Sequence, residues 1–230
     1  MYTTKVCCYP HSYQGRYCSF SQILTAGAAY RWYKDTFFPL ESIPSQDFNK
    51  NVYEMMESKM PDQSKNIFFI PHLSGSGNPT MNPNAKGCIY GLTLATDRYD
   101  IARAILEGIT FELKINLELM ESITGNNINE IKSFGGGARS DFWLQLKADI
   151  TEKNIISSNT IEAGCLGAAL LAGYGAGVFP SLDQGIEAVN HNLIYQKYRP
   201  NPKMHEVYSQ KYTHYLLISQ KINELYLQLE

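Results

Sequence analysis

The chain has 230 residues and a mass of 26.0 kDa, enough for one large domain or two small ones; folding at this size buries about 70% of the unfolded chain's surface, so an ordinary core needs no metal or disulfide staples. With 44% hydrophobic, 12% aromatic and 18% charged residues, the composition excludes intrinsic disorder, coiled coil and collagen. Twenty basic residues against 22 acidic leave a net charge of −2, without the basic excess that nucleic acid or an anionic membrane selects, so neither is expected as a partner.

In chain order, Arg16 to Phe20 reads as a strand. Thr25 to Phe38 is a helix of small and aromatic residues stopped by Pro39 and Pro44, and Ser45 to Ser58 is a second helix. The short apolar run Ile67-Phe68-Phe69-Ile70 before Pro71 is a buried strand. Ser74 to Lys86 has two glycines, two prolines and no apolar period, a long loop of the kind that often carries function. Asp100 to Thr124 is the strongest helix: Ile101, Ile105, Ile109, Leu113, Leu117 and Met120 recur every three or four residues, and Gly125-Asn126-Asn127 stops them. Asn129 to Phe134 is a strand running into Gly135-Gly136-Gly137-Ala138, and Ser140 can cap the next helix, which continues to Ile150. Asn154 to Ile156 is a short strand, and Cys165 to Tyr174 is an Ala- and Gly-rich helix. Ser181 with Gln184 suits a capping box for a helix to Asn190. His205 to Leu229 closes the chain as a helix with Tyr208, Tyr212, Tyr215, Ile222, Leu225 and Leu229 as its apolar stripe. Strands alternate with helices, so the class is α/β.

No apolar run approaches the roughly 20 residues that span a bilayer, and the first residues have no secretory h-region. The five cysteines are odd in number and show no Cys-x-x-Cys spacing. They point to reduced, mostly buried thiols in a cytoplasmic protein rather than a disulfide framework or a zinc site.

Three stretches can carry chemistry. In Ser133-Phe134-Gly135-Gly136-Gly137-Ala138-Arg139-Ser140-Asp141, glycines between a strand and a helix let a flat or charged ligand reach the backbone. The helix start behind them offers N–H groups and a positive dipole end, an arrangement suited to a nucleotide. No Gly-Lys-Ser/Thr follows, which excludes a Walker A loop, and no Gly-x-Gly-x-x-Gly occurs here, which excludes a dinucleotide fingerprint. The glycine-dense stretch Glu162 to Gly173 implies close approach of another backbone or a domain partner, since each helical glycine costs about 1 kcal/mol relative to Ala. The third stretch is the loop Pro71 to Gly87, whose single His72 reads as a hydrogen-bonded structural residue rather than a base.

Together these pieces resemble the C-terminal half of the FGGY carbohydrate kinases, the group of glycerol, xylulose, ribulose and gluconate kinases. Gly87-Cys88-Ile89-Tyr90-Gly91-Leu92 followed by Asp100 to Glu107 is similar to the family's second signature. Gly135 to Ser140 is similar to its adenosine motif, and Glu162-Ala163-Gly164 through Gly177-Val178-Phe179 to its connecting motif. The resemblance implies an actin-like, ribonuclease-H-like α/β domain with a mixed sheet flanked by helices, forming one wall of an ATP cleft. Residues 1–230 would be a single nucleotide-side domain with helix 205–229 packed on it. Gly27 and Arg31 would lie at the nucleotide, Gly136, Gly137 and Ala138 would line the adenine-ribose pocket, and Asp141 would make a polar contact.

The family's catalytic base is an Asp in a Gly-Asp segment ahead of a phosphate loop. None of the 17 glycines here is followed by Asp, so the catalytic Asp and the sugar-binding domain are expected outside this chain. The chain thus resembles half of an ATP- and Mg²⁺-dependent kinase for a sugar or polyol, inactive alone, with a non-catalytic actin-like regulatory module as the alternative. Gly75-Ser76-Gly77-Asn78-Pro79 stands where xylulose kinases often carry Gly-Glu-Arg-x-Pro, which leaves glycerol-like and other ketose substrates open. Aromatics exposed on the last helix would mark a homodimer contact.

Overall fold

The computed structural model describes residues 6–38, 52–160 and 162–229. Pro39, Pro44 and the first turns of the helix expected from Ser45 lie outside these residues. The chain clusters into two compact units, Met1–Ile128 with Pro202–Glu230, and Asn129–Asn201.

The first unit is built around one long helix. Its elements are β1 (Cys7–Pro10), β2 (Tyr17–Phe20), α1 (Ala26–Phe37), α2 (Val52–Ser58), β3 (Phe68–Ile70), β4 (Cys88–Tyr90), α3 (Arg98–Thr124) and α7 (Pro202–Leu229). β1 and β2 form an antiparallel hairpin, and β3 pairs antiparallel with β4. The α3 start is fixed by a capping box. Asp97 accepts from the backbone of Tyr99 and Asp100, and the Asp100 carboxylate accepts from Asp97 N–H. Lys65 holds the same carboxylate at 2.6 Å. Gly125 ends the helix in the left-handed conformation, as the sequence leads one to expect. At Gly108 the helix lies so close to β3 that a Cβ would stand 2.0 Å from the Phe69 carbonyl oxygen, so only glycine permits the contact.

α7 docks through tyrosines and one buried charge cluster. Tyr208, Tyr212 and Tyr215 are buried, with the Phe111 ring 4.9 Å from that of Tyr215. The Glu107 carboxylate, almost fully buried, meets Arg103 Nε at 2.9 Å, Lys211 Nζ at 2.5 Å and the Tyr208 hydroxyl at 3.1 Å, and it accepts from Ser64 at 3.0 Å. Beyond Tyr215 the expected stripe stops. Leu225 and Leu229 are exposed, Ile222 is half-buried, and Ser219 and Asn223 take inward positions. Of the α7 tyrosines, Tyr208, Tyr212 and Tyr215 are thus buried within the unit and Tyr226 is half-buried.

The second unit contains β5 (Glu130–Ser133), α4 (Asp141–Thr151), β6 (Asn154–Ser158), α5 (Ala163–Gly175), α6 (Leu182–Asn190) and β7 (Tyr195–Tyr198). Its sheet is mixed: β5 runs parallel to β6, and β7 antiparallel to β6 on the other side. Leu144, Ala148, Ile155 and Tyr198, with Ile131 against them, form its core. α5 reads Ala-Gly-Cys-Leu-Gly-Ala-Ala-Leu-Leu-Ala-Gly-Tyr-Gly and has no buried residue. No backbone among the described residues makes the close approach expected there; the near neighbour is the Phe179 side chain, since a Cβ on Gly173 would stand 2.6 Å from that ring, and one on Gly185 of α6 3.0 Å.

The thiols depart from expectation. Cys7, Cys8, Cys18 and Cys165 are exposed and Cys88 is half-buried, because the first three sit on a wet hairpin and the fourth on α5.

Breaking the Glu107 cluster from one side leaves two cations in the interior. Glu107→Ala is expected to cost about 3–5 kcal/mol, read as a lowered midpoint in urea unfolding followed by far-ultraviolet circular dichroism.

Candidate nucleotide site

The glycine turn sits at the C-terminal end of β5, where parallel pairing with β6 brings Ser133 opposite Ser157. The chain leaves the strand through Gly135 at φ 80°, a conformation open to glycine but strained for other residues. It then makes one 3₁₀ turn, Gly136–Ala138, and enters α4 at Asp141. A Cβ on Gly135 or Gly136 would meet nothing within 4 Å, so at Gly136 no packing in the described residues demands glycine. Gly137 differs: a Cβ there would stand 2.8 Å from the Trp143 ring, so its bareness serves packing. The turn thus presents an open backbone at 135–136 and a side braced by an aromatic ring at 137.

The α4 start carries the acid that the sequence places there. Ser140 Oγ accepts from Trp143 N–H at 2.9 Å, confirming the cap. Asp141 occupies the first turn, is exposed, and accepts from the Tyr198 hydroxyl at 2.5 Å. Burial, with the Asp141 carboxylate beside it, pushes the Tyr198 phenol up to about 12, so it stays a donor. With a carboxylate already on the positive helix end, the turn favours a ligand's hydroxyl or amine donors over its phosphates.

Lys147, one turn further along α4, is the residue that sequence reasoning missed. Its Nζ lies 4.5 Å from the Trp143 ring centroid and donates to Ser133 Oγ at 3.2 Å and to the Gly137 carbonyl at 3.4 Å. It thereby ties the strand end to the turn. Burial pushes its ammonium down to about 8. Nothing in its local spacing announces this, because its partners lie 14 and 10 residues away. The Gln145–Asp149 pair was also missed. Gln145 donates to Asp149 Oδ1 and to the Arg199 carbonyl, and Asp149 accepts from Asn201 N–H, each at 2.8 Å.

The six expected site residues fall in both units. Gly136, Gly137, Ala138 and Asp141 come together at the turn of the second unit. Gly27 and Arg31 belong to α1 of the first unit, one helical turn apart and both exposed. A Cβ on Gly27 would meet nothing within 4 Å. Thr25, just ahead of them, donates to the Pro71 carbonyl, and Tyr33 donates to the Arg98 carbonyl at 2.6 Å, which seats α1 on the first unit.

The class that this fold and turn define is shown by comparison: the chain belongs to the FGGY family of carbohydrate kinases, with residues 5–176 matching that family's C-terminal domain. It is 33% identical over 224 residues to a xylulose kinase of Staphylococcus epidermidis, covering 97% of this chain and 43% of the relative. It is 35% identical over 188 residues to a glycerol kinase of Coxiella burnetii, covering 80% of this chain and 35% of the relative. Among solved structures it matches the ligand-bound xylulose kinase of Lactobacillus acidophilus with a TM-score of 0.78 and 26% identity, over 98% of this chain and 44% of that one. In fold alone it matches the Plasmodium falciparum glycerol kinase solved with ADP, with a TM-score of 0.72 at 24% identity, over 93% of this chain and 42% of that one. The fold is thus the actin-like one of these kinases. The chain spans less than half the length of the curated relatives it matches.

The depressed Lys147 amine predicts a pH effect. The unfolded chain holds that proton up to the ordinary lysine range, whereas the folded chain releases it near 8. Burying the charge therefore costs stability below pH 8, and the cost fades as pH rises from 8 towards 10. Thermal unfolding of the native chain between pH 7 and 10 is expected to show this contribution, and Lys147→Met is expected to flatten it.

Proposed function

We propose that the chain is the nucleotide-side half of an ATP-dependent carbohydrate kinase, which transfers a phosphoryl group to a hydroxyl of a sugar or polyol. The observation that carries this reading is the open backbone at Gly135–Gly136, between a parallel strand and a capped helix, in a chain of the FGGY family. The named relatives include both xylulose and glycerol kinases, which keeps the substrate class at small polyhydroxylated molecules.

In this reading the turn receives the adenosine part of the nucleotide. Gly136 lets the flat base or ribose reach the backbone, and Ala138 adds a small apolar surface beside it. Gly137 keeps Trp143 seated beneath the turn, a support rather than a contact. The Asp141 carboxylate, oriented by Tyr198, accepts from a ribose hydroxyl or the adenine amine. Gly27 and Arg31 on α1 are proposed as nucleotide contacts in their own right, the Arg31 guanidinium supplying positive charge for phosphate oxygens. Phosphoryl transfer depends mainly on positioning and charge neutralisation, so a half that holds adenosine supplies orientation. Mg²⁺ comes with the nucleotide phosphates, its usual mode of binding. Among the described residues no cluster of three His, Cys, Asp or Glu is placed to hold a metal ion. The base that takes the sugar proton is expected from a Gly-Asp segment, which this sequence does not contain. We assign the protein to the cytoplasm on the chemistry proposed, the phosphorylation of a small metabolite by ATP. Among the described residues no helix is long and apolar enough to cross a membrane.

Two measurements test the reading. Gly136→Val puts a branched side chain into open space, so it is expected to leave the melting temperature within about 1 °C, as a surface change without lost contacts does. It is expected to weaken binding of a fluorescent ATP analogue at least tenfold; unchanged affinity would remove the turn from the site. The chain alone is expected to transfer nothing in a coupled assay with ATP, Mg²⁺ and either pentuloses or glycerol, and turnover there would refute the half-enzyme reading.

A further inference from the structure

The first unit contains a cleft that the nucleotide reading does not use. It has a volume of about 430 Å³ and lies among the loop around Pro79, the middle of α3 and the last turns of α7, within the range of small-molecule sites. Its wall is polar at positions where a core helix ordinarily places apolar side chains. The inward face of α7 runs Tyr208, Tyr212, Tyr215 and then changes to Ser219 and Asn223. Two small polar residues, four apart, replace bulky ones and open the space.

The polar atoms of this wall are unevenly satisfied. His72 is 5% exposed, and its Nε2 stands 3.5 Å from Glu112 Oε1. With the ring proton on the nitrogen facing the carboxylate, Nδ1 is an acceptor. His72 Nδ1 and Asn223 Oδ1 are both buried and have no hydrogen-bond partner among the described residues. Buried acceptors left alone are costly, and native proteins ordinarily pair them. The charges are one-sided as well. Glu112 and Glu224 line the cleft, and neither lysine nor arginine does. Lys221 balances Glu224 at 2.7 Å, and Glu112 accepts from the Tyr215 hydroxyl at 2.6 Å, which leaves the Glu112 charge without a full cation. Ile115, Leu216 and Pro79 supply an apolar side.

We propose that this cleft binds a small aliphatic ammonium ion. An ammonium group brings three donors and no acceptor, the complement of His72 Nδ1 and Asn223 Oδ1, and its charge answers Glu112. A short alkyl chain lies against Ile115 and Leu216. An anion such as phosphate would meet the carboxylate and find no cation, so the site excludes the anionic substrates and products of phosphoryl transfer. The inference rests on the first unit alone and stands whether or not the glycine turn binds adenosine.

The test is a titration of the isotope-labelled 230-residue chain by nuclear magnetic resonance, read at the His72 ring and the Asn223 side-chain amide. The probes are n-propylammonium chloride, 1-propanol and sodium propionate at constant ionic strength. Propylammonium is expected to shift both signals saturably, with half-saturation on the order of 1–10 mM, a range open to so small a ligand. Propanol is expected to bind at least tenfold more weakly, and propionate not at all. Asn223→Leu fills the cleft and removes an acceptor, so the His72 response is expected to fall at least tenfold. Asn223→Asp preserves the size and adds a charge, and is expected to tighten binding at least threefold, which keeps the test decisive if the leucine variant does not fold. Absence of a saturable shift, as for a cleft that holds only water, would overturn the proposal. So would equal responses to propanol and propylammonium, a response to propionate, or unchanged binding in the variants.

Discussion

The first unit depends on one buried carboxylate. Glu107 sits near the middle of α3 with almost no exposure and gathers Arg103, Lys211, Tyr208 and Ser64 around it. A charge so deep is tolerated only where it is paired and fully hydrogen-bonded. The pairing dictates that α7, some hundred residues later in the chain, crosses α3 at one register, because Lys211 must reach one oxygen of the carboxylate and Tyr208 the other. Arg103 in turn donates to the Pro61 carbonyl, so the loop before β3 is held from the same centre. Apolar packing around Phe111 supplies attraction, and the charge cluster selects which attraction is realised.

The second unit solves a different problem, that of keeping a backbone bare without letting it collapse. A run of glycines is floppy by nature. Here it is pinned at three points: the left-handed turn at Gly135, the Trp143 ring under Gly137, and the Lys147 amine bridging Ser133 and the Gly137 carbonyl. Each support lies on the side of strand and helix, which leaves Gly135 and Gly136 clear. A backbone held in place in this way has less conformational freedom to lose on contact with any ligand than a mobile loop.

How much of this was legible follows from what each signal depends on. The helices were readable because their signals are local. The α3 apolar period, its Gly125 stop and the Ser140 cap all sit within a few residues of what they control. The strands were less so. β1 and β7 are four residues each and almost wholly exposed, so Cys-Cys-Tyr-Pro and Tyr-Gln-Lys-Tyr show no buried run; they exist because β2 and β6 pair with them. The glycine turn could be located from sequence, and so could Asp141. That Asp141 is held by Tyr198, 57 residues on, could not, nor could Gly137's service to Trp143, since both depend on which side chains the fold brings face to face. The α7 stripe was overextended for the same reason: periodicity shows which positions point one way, but not where the neighbour ends.

α5 leads to a practical outcome. Thirteen residues that are almost entirely aliphatic or glycine form a regular helix, yet none of them is fully buried and most are exposed. Such a surface becomes more unfavourable as sulfate or phosphate salts are added, because those ions strengthen the withdrawal of apolar groups from solvent. The polypeptide by itself should therefore salt out at modest sulfate concentrations, and purification schemes that rely on ammonium sulfate cuts or hydrophobic resins will find it an unusually retentive sample.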